Sequence, residues 1–495
     1  MKKPISIFNE VLGPIMRGPS SSHTAGAYRI GLIARKLFNR PISKVIVVFS
    51  TKGSLPTTYK SQGSEIGLIT GLMGSTLESD NIQDIVSIAA QAGLKVETIV
   101  TDEACSHPNT YNLTLFSKDT ESDTAETNPI SQPSMKVVGI STGGGMVEII
   151  NVDGIETDIE GDTYEEFGNK VNPKKYHLDP ILPIHFTENS SVPFHNALEF
   201  EELLAKEKAN SLKNYTTKEI WEYALEYEAS RGNMSKDEVW TVAKKVLSIM
   251  RQSLNTGLNG TKYKDRILGQ QFDLIDKASE KGKLIDSPLI NRVEKYALAI
   301  MECKSSFGLI VAAPTAGSCA VIPAAILACY DEFNISENKH SDDEAIKALL
   351  AAGLIGVFIA EDSTFSAEVA GCQAECGAAS GMAAAALVQL KHGTTQTALH
   401  AASFALQNIL GMICDPIANR VEAPCLGKNI MCAMNAISSA NIALAKINTL
   451  IPLSQVIQTM DKVGKAIIPE LRCTSLGGLS VCPASKEIEK KLNLS

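Results

Sequence analysis

The stretch GLIVAAPTAGSCAVIPAAILACY, residues 308–330, decides between two kinds of protein, because its 23 residues carry no charge and are long enough in principle to cross a bilayer. Its interruptions argue against a span. Pro314 and Pro323 each remove a backbone donor and break helical hydrogen bonding, Thr315 and Ser318 place hydroxyls in the middle, and no basic asymmetry flanks the run. We read it as a buried, broken helical segment in the core of a soluble protein. Irregular backbone enclosed in a core must have its polar groups satisfied, so the loop PTAGS at 314–318 is marked as the lining of a site.

Outward from this stretch the chain keeps the same character on its C-terminal side. Residues 345–359, 381–390 and 430–450 are long periodic runs of Ala, Leu, Ile and Met, broken by Gly and Pro rather than by alternation. They predict an all-helical domain from 214 to 495 whose small residues let helices approach closely. On the N-terminal side the pattern changes. VIVVF at 45–49, the alternation at 111–116 and the runs 137–140 and 147–152 around Gly143, Gly144 and Gly145 read as strands, while 25–38 reads as a helix. Residues 118–134, rich in Asp, Glu, Ser, Thr and Pro, read as a surface loop. The expected organisation is an α+β N-terminal domain over 1–183, a connection over 184–213 with a charged helix-like run at 199–208, and a larger all-α domain over 214–495. No internal repeat or heptad array interrupts it.

With 495 residues, 44% of them hydrophobic, the chain has material for more than one core. Its 46 Lys and Arg against 55 Asp and Glu give a net charge of −9, and the mean hydropathy is +0.03. Such a chain has no basic field for nucleic acid or an anionic membrane, and neither partner is expected. Of eleven cysteines, ten lie at or beyond position 303. Their odd number, and an opening MKKPISIFNEVLGP too interrupted to be a signal-peptide core, imply reduced thiols in the cytoplasm. Two readings of those thiols stay open at this point: small buried hydrophobes, or ligands of a metal or cluster.

Three cysteines sit in Gly- and Pro-punctuated, weakly charged strings: AGCQAECG around Cys372, GMICDPIA around Cys414 and EAPCLGKN around Cys425. A thiolate ligand needs a turn or helix end to aim its sulfur, and nearby backbone N–H groups to offset negative charge. Each string supplies both, although a single buried cysteine is more often inert packing. In the N-terminal part GPSSSHTAG at 18–26 offers Ser20, Ser21, Ser22, His23 and Thr24 at a helix start, suited to a carboxylate or to an elaborate N-cap. Cys105-Ser106-His107-Pro108-Asn109-Thr110 and the STGGG string at 141–145 are weak signals alone.

Taken together, these strings resemble the iron-sulfur-dependent L-serine dehydratases, or L-serine ammonia-lyases, in their single-chain form. The resemblance runs over nearly the whole chain through GPSSSHT, GSL at 53–55 followed by Thr and Lys60, HPNT, the glycine turn before a strand, PFH at 193–195, APT-x-G, GCQ-x-E, CDP and PC-x-x-x-N. Cys372 and Cys414 lie 42 positions apart, and Cys414 and Cys425 lie 11 apart. The family places its cluster cysteines in these three contexts.

The resemblance implies that the helical domain is catalytic and that Cys372, Cys414 and Cys425 hold a [4Fe-4S] cluster. One iron, left without a protein thiolate, would then act as Lewis acid on the substrate hydroxyl. It further implies proton transfer by His23, Lys60 and His107, and binding of a small amino-acid substrate by Ser20, Ser21, Ser22, Thr24, Asn109 and Thr315. Cys482, in the tail after TSLGGLS, is the candidate fourth ligand, and the other seven cysteines, Cys473 among them, revert to packing. A homodimer is compatible with the resemblance. The chain departs from the family's pattern at Gln62, where a histidine is expected, at Gln407-Asn408 in place of Glu-His, and at Ala316 in place of Asn. Glutamine and asparagine hydrogen-bond but do not titrate near neutrality. These departures leave two further readings: the same chemistry on another β-hydroxy or β-thiol acid, or a non-catalytic cluster sensor with Cys482, Cys376 or Cys432 as fourth ligand.

Overall fold

A computed structural model of the chain describes residues 4–117, 134–160, 163–164, 176–177, 191–210, 218–263, 266–285, 287–337 and 342–493. The loop expected over 118–134 lies outside these residues except for Ser134, as do parts of the connection expected over 184–213. The chain divides into two compact units, Ser20–Pro180 and Met1–Pro19 together with Ile181–Ser495.

The α/β unit is built on a six-stranded sheet in the order Lys95–Thr101, Ile42–Ser50, Thr110–Ser117, Ser134–Gly143, Met146–Val152, Ile155–Glu160. The first pair is parallel and the rest are antiparallel. A parallel pair requires a crossover, and the helices Leu55–Thr58, Ser64–Met73 and Ile85–Gln91 lie within it. Val45, Val47, Phe49, Tyr111, Leu113, Leu115, Val137, Val147 and Ile149 alternate onto the buried face and share one apolar core with Ile30, Ile33, Leu68 and Leu72 of the helices. Each such aliphatic contributes about 1.5–3 kcal/mol on burial. The strands at 45–49, 111–116, 137–140 and 147–152 and the helix at 25–38 stand where the sequence places them. Lys95–Thr101 escapes sequence reading because it is an edge strand with mostly exposed side chains.

Glycine sets the spacing of the helices Gly26–Phe38 and Ser64–Met73. A Cβ on Gly71 would lie 2.1 Å from the Tyr28 carbonyl oxygen, and one on Gly31 would lie 2.5 Å from that of Leu68. Gly71→Ala therefore has to separate two helix backbones. It is expected to destabilise the α/β unit by about 1–3 kcal/mol, read as a lowered thermal midpoint. An unchanged midpoint would contradict this packing.

The larger unit is helical, apart from a short antiparallel ladder in which Ile15 and Met16 pair with Val311 and Ile310. Its centre is the helix Cys376–Leu390, buried along its whole length. The helices Val321–Glu337, Asp343–Asp362, Thr395–Gln407 and Cys425–Leu444 pack around it. A helix surrounded on all sides needs no polar face, and its Ala-rich surface is the sequence form of that environment. The uncharged stretch enters the same core. The window Ala316–Phe333 is long and apolar enough for a membrane span, and 83% of it is buried within the protein. Pro323 does not break a helix here; it sits in the first turn of Val321–Glu337, where the backbone donors have no intrahelical partner.

The expected boundary at 1–183 is corrected at its N-terminal end. Residues Met1–Pro19 belong to the helical unit. The turn Ile7–Val11 lies in a groove opened by Gly353 and Gly356, where added Cβ atoms would meet Ile7 and Val11 side chains at 2.4 and 2.1 Å. Ser6 Oγ and the Ile7 N–H both donate to the buried Glu228 carboxylate, at 2.8 and 2.9 Å, and Arg231 pairs with it at 3.0 Å. Long-range contacts of this kind leave no periodic trace in a short N-terminal segment.

Candidate metal centre

Three loops of the helical unit carry the cysteines. Gly371, with φ of +72°, precedes Cys372; a Cβ there would lie 2.7 Å from the Met412 carbonyl oxygen. Only glycine brings these two strings so close. Gln373, fully buried, ties them further. Its N–H donates to Met412 O at 3.1 Å, its amide nitrogen donates to Met460 O at 2.7 Å, and its amide oxygen accepts from Gly411 N–H at 2.8 Å. Cys414 is held by the segment beyond it, its N–H donating to Leu471 O at 2.9 Å. Cys425 begins the helix Cys425–Leu444, where the helix N-terminus favours a thiolate. Asn429 joins this helix to the PTAGS loop: its side chain donates to Gly317 O at 2.7 Å and Cys425 O at 2.8 Å, and accepts from Ala320 N–H at 3.1 Å.

The ligand atoms of Cys372, Glu375 and Cys414 lie within 4.8 Å of one another. A hydrogen bond from Cys414, assisted by Lys428, holds the Cys372 thiol below its ordinary pKa in spite of burial. The counterpart shift falls on Cys414, pushed well up by its hydrogen bonds to Cys372 and Cys473. Burial pushes the Cys425 thiol up. For Lys428 burial favours the neutral amine, but the charges of Cys372 and Cys414 outweigh it and hold the pKa up. Its ammonium donates to Ile413 O and to Asp415 Oδ1, both at 2.8 Å. The Glu375 carboxyl is raised well above the usual range by burial, then by Cys372 and Glu368, and it hydrogen-bonds to Thr315. Thr315 is buried and contacts Ser318 Oγ at 3.0 Å. Away from this group, burial pushes the thiols of Cys303, Cys319 and Cys329 up to about 12, as expected of inert packing.

The structure thus gathers Cys372 and Cys414 with Glu375, and Thr315 through its hydrogen bond to Glu375; Cys425 lies outside that 4.8 Å group and interacts with Cys372 electrostatically. The structure adds Glu375, Lys428 and Cys473, which sequence reasoning did not single out. The signal for two of them was present, since Glu375 closes GCQ-x-E and Lys428 lies in the spacer of PC-x-x-x-N. Cys473, assigned to packing, is buried in one small cluster with Ala367, Cys372 and Cys414, and its thiol meets Cys414. Cys482 is half-buried at the start of the helix Pro483–Asn493 and lies outside that cluster. The departures at Gln407 and Asn408 serve structure: Gln407 donates to Ser403 Oγ at 3.0 Å and Thr449 Oγ1 at 3.1 Å, and Asn408 donates to Asn435 at 2.8 Å.

The remaining expected residues belong to the α/β unit. His23 is fully buried, with Nδ1 in contact with Ser20 Oγ at 3.2 Å and Ser22 Oγ at 3.0 Å, and Nε2 with Thr58 Oγ1 at 2.9 Å. Ser20 caps the turn Ser21–Ala25, which bears out the N-cap reading of this string. Ser141 Oγ donates to Ser22 O at 2.8 Å, and the Ser141 N–H donates to Asn109 O at 3.1 Å, so the separate strings meet. Asn109 is buried and hydrogen-bonds to Ser54, while its side-chain nitrogen has no partner among the described residues. His107 is half-buried, its Nδ1 accepting from Asn109 N–H at 3.1 Å. Thr24 donates to Gln62 O at 3.0 Å, and Ser21 is buried beside it. Lys60 is exposed and stays outside this group.

Clustered thiols with a compensating lysine are a donor set compatible with a soft metal centre, since thiolate donors select zinc, copper(I) or iron-sulfur centres. The family model described as serine dehydratase alpha chain matches residues 215–480, a span containing all three ligand candidates and the PTAGS loop. The L-serine dehydratase alpha chain of Peptoniphilus asaccharolyticus is 35% identical over 276 residues, 55% of this chain and 91% of that relative. The L-serine dehydratase TdcG of Escherichia coli (strain K12) is 26% identical over 490 residues, covering 94% of this chain and 96% of its own. The L-serine dehydratase of Helicobacter pylori (strain ATCC 700392 / 26695) is 28% identical over 474 residues, again 94% and 96%. The chain belongs to the serine dehydratase family.

Proposed function

We propose that this protein is an iron-sulfur-dependent L-serine ammonia-lyase that converts L-serine to pyruvate and ammonia, with a [4Fe-4S] cluster on Cys372, Cys414 and Cys425. The observation that carries this reading is the meeting of buried Cys372 and Cys414 with half-buried Glu375, Lys428 beside them, in a chain whose relatives are named L-serine dehydratases. The donor set fits the cluster: soft thiols, one of them kept acidic, and a lysine that offsets their negative charge. When bound, the cluster supplies a Lewis-acid iron that stabilises the leaving hydroxide.

The chain's own residues supply the rest. Loss of the Cα proton and of the β-hydroxyl as water gives 2-aminoacrylate, which tautomerises to an imine and takes up one water to release pyruvate and ammonia. In the helical unit Thr315 orients the Glu375 carboxyl, whose raised pKa fits a proton carrier better than a permanent anion. In the α/β unit His23 and His107 are assigned to proton transfer, together with Lys60, whose exposure makes it the weakest of the three. Ser20, Ser21, Ser22, Thr24 and Asn109 are assigned to the carboxylate, and the unpartnered Asn109 amide is a donor ready for it. The eleven free cysteines fit a reducing, cytoplasmic setting, and a homodimer is compatible with the resemblance.

One observation favours the same chemistry on another β-hydroxy or β-thiol acid: Ala316, which replaces the family's Asn, is buried directly beside Thr315. Anaerobically purified, iron-loaded protein is expected to release pyruvate and ammonia from L-serine faster than it deaminates L-threonine or L-cysteine. Iron-loaded protein that turns over none of the three sinks the enzymatic reading, and a preference for L-cysteine or L-threonine moves it to the alternative.

A further inference from the structure

We infer that Lys304 is a second counter-charge of the centre, a positioning residue that balances, from behind the loop presenting Cys425, the negative charge that thiolate ligation brings there; this rests on the cluster reading proposed above. Lys304 lies in the last turn of the helix Pro288–Ser305 and is fully buried. Its ammonium donates to the Val421 carbonyl oxygen. Val421 opens the segment that leads to Cys425, and backbone bonds brace that segment: Ile417 N–H donates to Ala423 O and Leu426 N–H to Glu422 O, both at 2.8 Å. A Cβ on Gly317 would meet the Glu375 carboxylate at 3.3 Å and the Val421 side chain at 3.4 Å, so the segment that Lys304 holds packs on the PTAGS loop beside Glu375.

Among the described residues no carboxylate pairs with Lys304. The acids nearest to its contacts in sequence are turned to other groups. Glu302, two positions earlier and so on another side of the helix, accepts from Gln271 N–H at 2.6 Å and Phe272 N–H at 3.1 Å, and burial raises its carboxyl above the usual range. Glu422 accepts from Ile267 N–H and Leu268 N–H, both at 3.1 Å, and lies 3.8 Å from Arg266. A buried cation without a counter-ion is costly, and the groups that feel this one are thiols. Burial and then Cys372 push the Cys425 thiol up, and Lys304 and Lys428 oppose them. Ligation makes Cys425 a thiolate, with its proton released to solvent, and gives Lys304 an anion to balance. Lys428 does the same for Cys372 and Cys414.

The test compares wild type, Lys304→Met, Lys304→Gln and Lys295→Gln after anaerobic reconstitution with iron and sulfide. Each is read by iron content, by competition with an iron chelator, and by the midpoint potential of the cluster in a dye-mediated titration followed by EPR. Glutamine keeps a donor for Val421 O and removes only the charge; methionine removes both. Both Lys304 variants are expected to hold the cluster about 10–100-fold more weakly against the chelator. Both should also be about tenfold harder to reduce, a midpoint lower by about 59 mV, because the added electron no longer meets a buried cation. Lys295, on the same helix, is half-buried and pairs with Asp276 at 2.6 Å, so Lys295→Gln is expected to match wild type. Wild-type affinity and potential in both Lys304 variants overturn the inference, as does equal loss in Lys295→Gln. Loss confined to Lys304→Met also overturns it, because the hydrogen bond to Val421 would then be the whole role. If Lys304→Met does not fold by circular dichroism, Lys304→Gln carries the comparison, and its failure to fold too assigns Lys304 to the fold alone and overturns the inference. Wild type that takes up no cluster overturns the cluster reading itself, whereas a normal wild-type cluster indifferent to the charge at 304 overturns this inference alone.

Discussion

Cys414→Ser should yield a folded protein without a cluster and without activity. Cys414 is the hub of the site: its thiol hydrogen-bonds to Cys372 and Cys473, and its backbone is anchored on both sides to residues 471–473. The backbone bridge survives the substitution, so the fold has no reason to fail. The hydroxyl is a hard donor with an alkoxide form out of reach near neutrality, so iron is lost. From roughly four irons per chain in reconstituted wild type, the content should fall close to zero, with pyruvate formation at background. Cys372→Ser and Cys425→Ser should behave alike, and Cys303→Ala and Cys329→Ala should keep both iron and activity. Normal iron content in any one of the three serine variants removes that residue from the ligand set.

Lys428→Met should produce the second-largest effect, through charge rather than ligation. The Lys428 ammonium is the nearby cation that supports the Cys372 thiolate, and it is largely buried, so solvent does not replace it. Outer partners of this kind are worth about 10–100-fold in metal affinity or activity. A second consequence confuses a simple measurement, because the substitution leaves Asp415 buried without its partner at 2.8 Å, at a cost of about 3–5 kcal/mol. The double variant Lys428→Met/Asp415→Asn separates the two effects. It should recover most of the thermal stability, while the cluster, titrated with a chelator, stays about 10–100-fold weaker than in wild type. Recovery of cluster affinity in the double variant would show that Lys428 acts only by supporting the fold.

The elements legible in the sequence were those whose surroundings are uniform. Cys376–Leu390 is enclosed on every side, so its Ala-rich run could be read as a buried helix, and the alternation of 111–116 records a strand with one buried face. Lys95–Thr101 and Ile155–Glu160 were not legible, because strands at the two edges of a sheet lack such a pattern. Pro323 was read as a helix breaker for want of knowledge about where the helix began. The first nineteen residues were misplaced because their fold depends on a groove that Gly353 and Gly356 open more than three hundred positions away.

At the site the division follows the same physics. Cys372, Cys414 and Cys425 stood out in the sequence by their Gly- and Pro-punctuated strings, which the family resemblance makes ligand candidates; the structure brings Cys372 and Cys414 of these within 4.8 Å of each other. The sequence alone therefore determined the two-part organisation, the helical character of the larger part and the three thiols. Tertiary structure decided which other groups join them. Glu375 and Thr315 meet through a turn and a loop about sixty positions apart, and Cys473 reaches Cys414 only through a backbone bridge spanning as many. Such neighbours are made by the folding of distant segments against each other, and no local spacing encodes them.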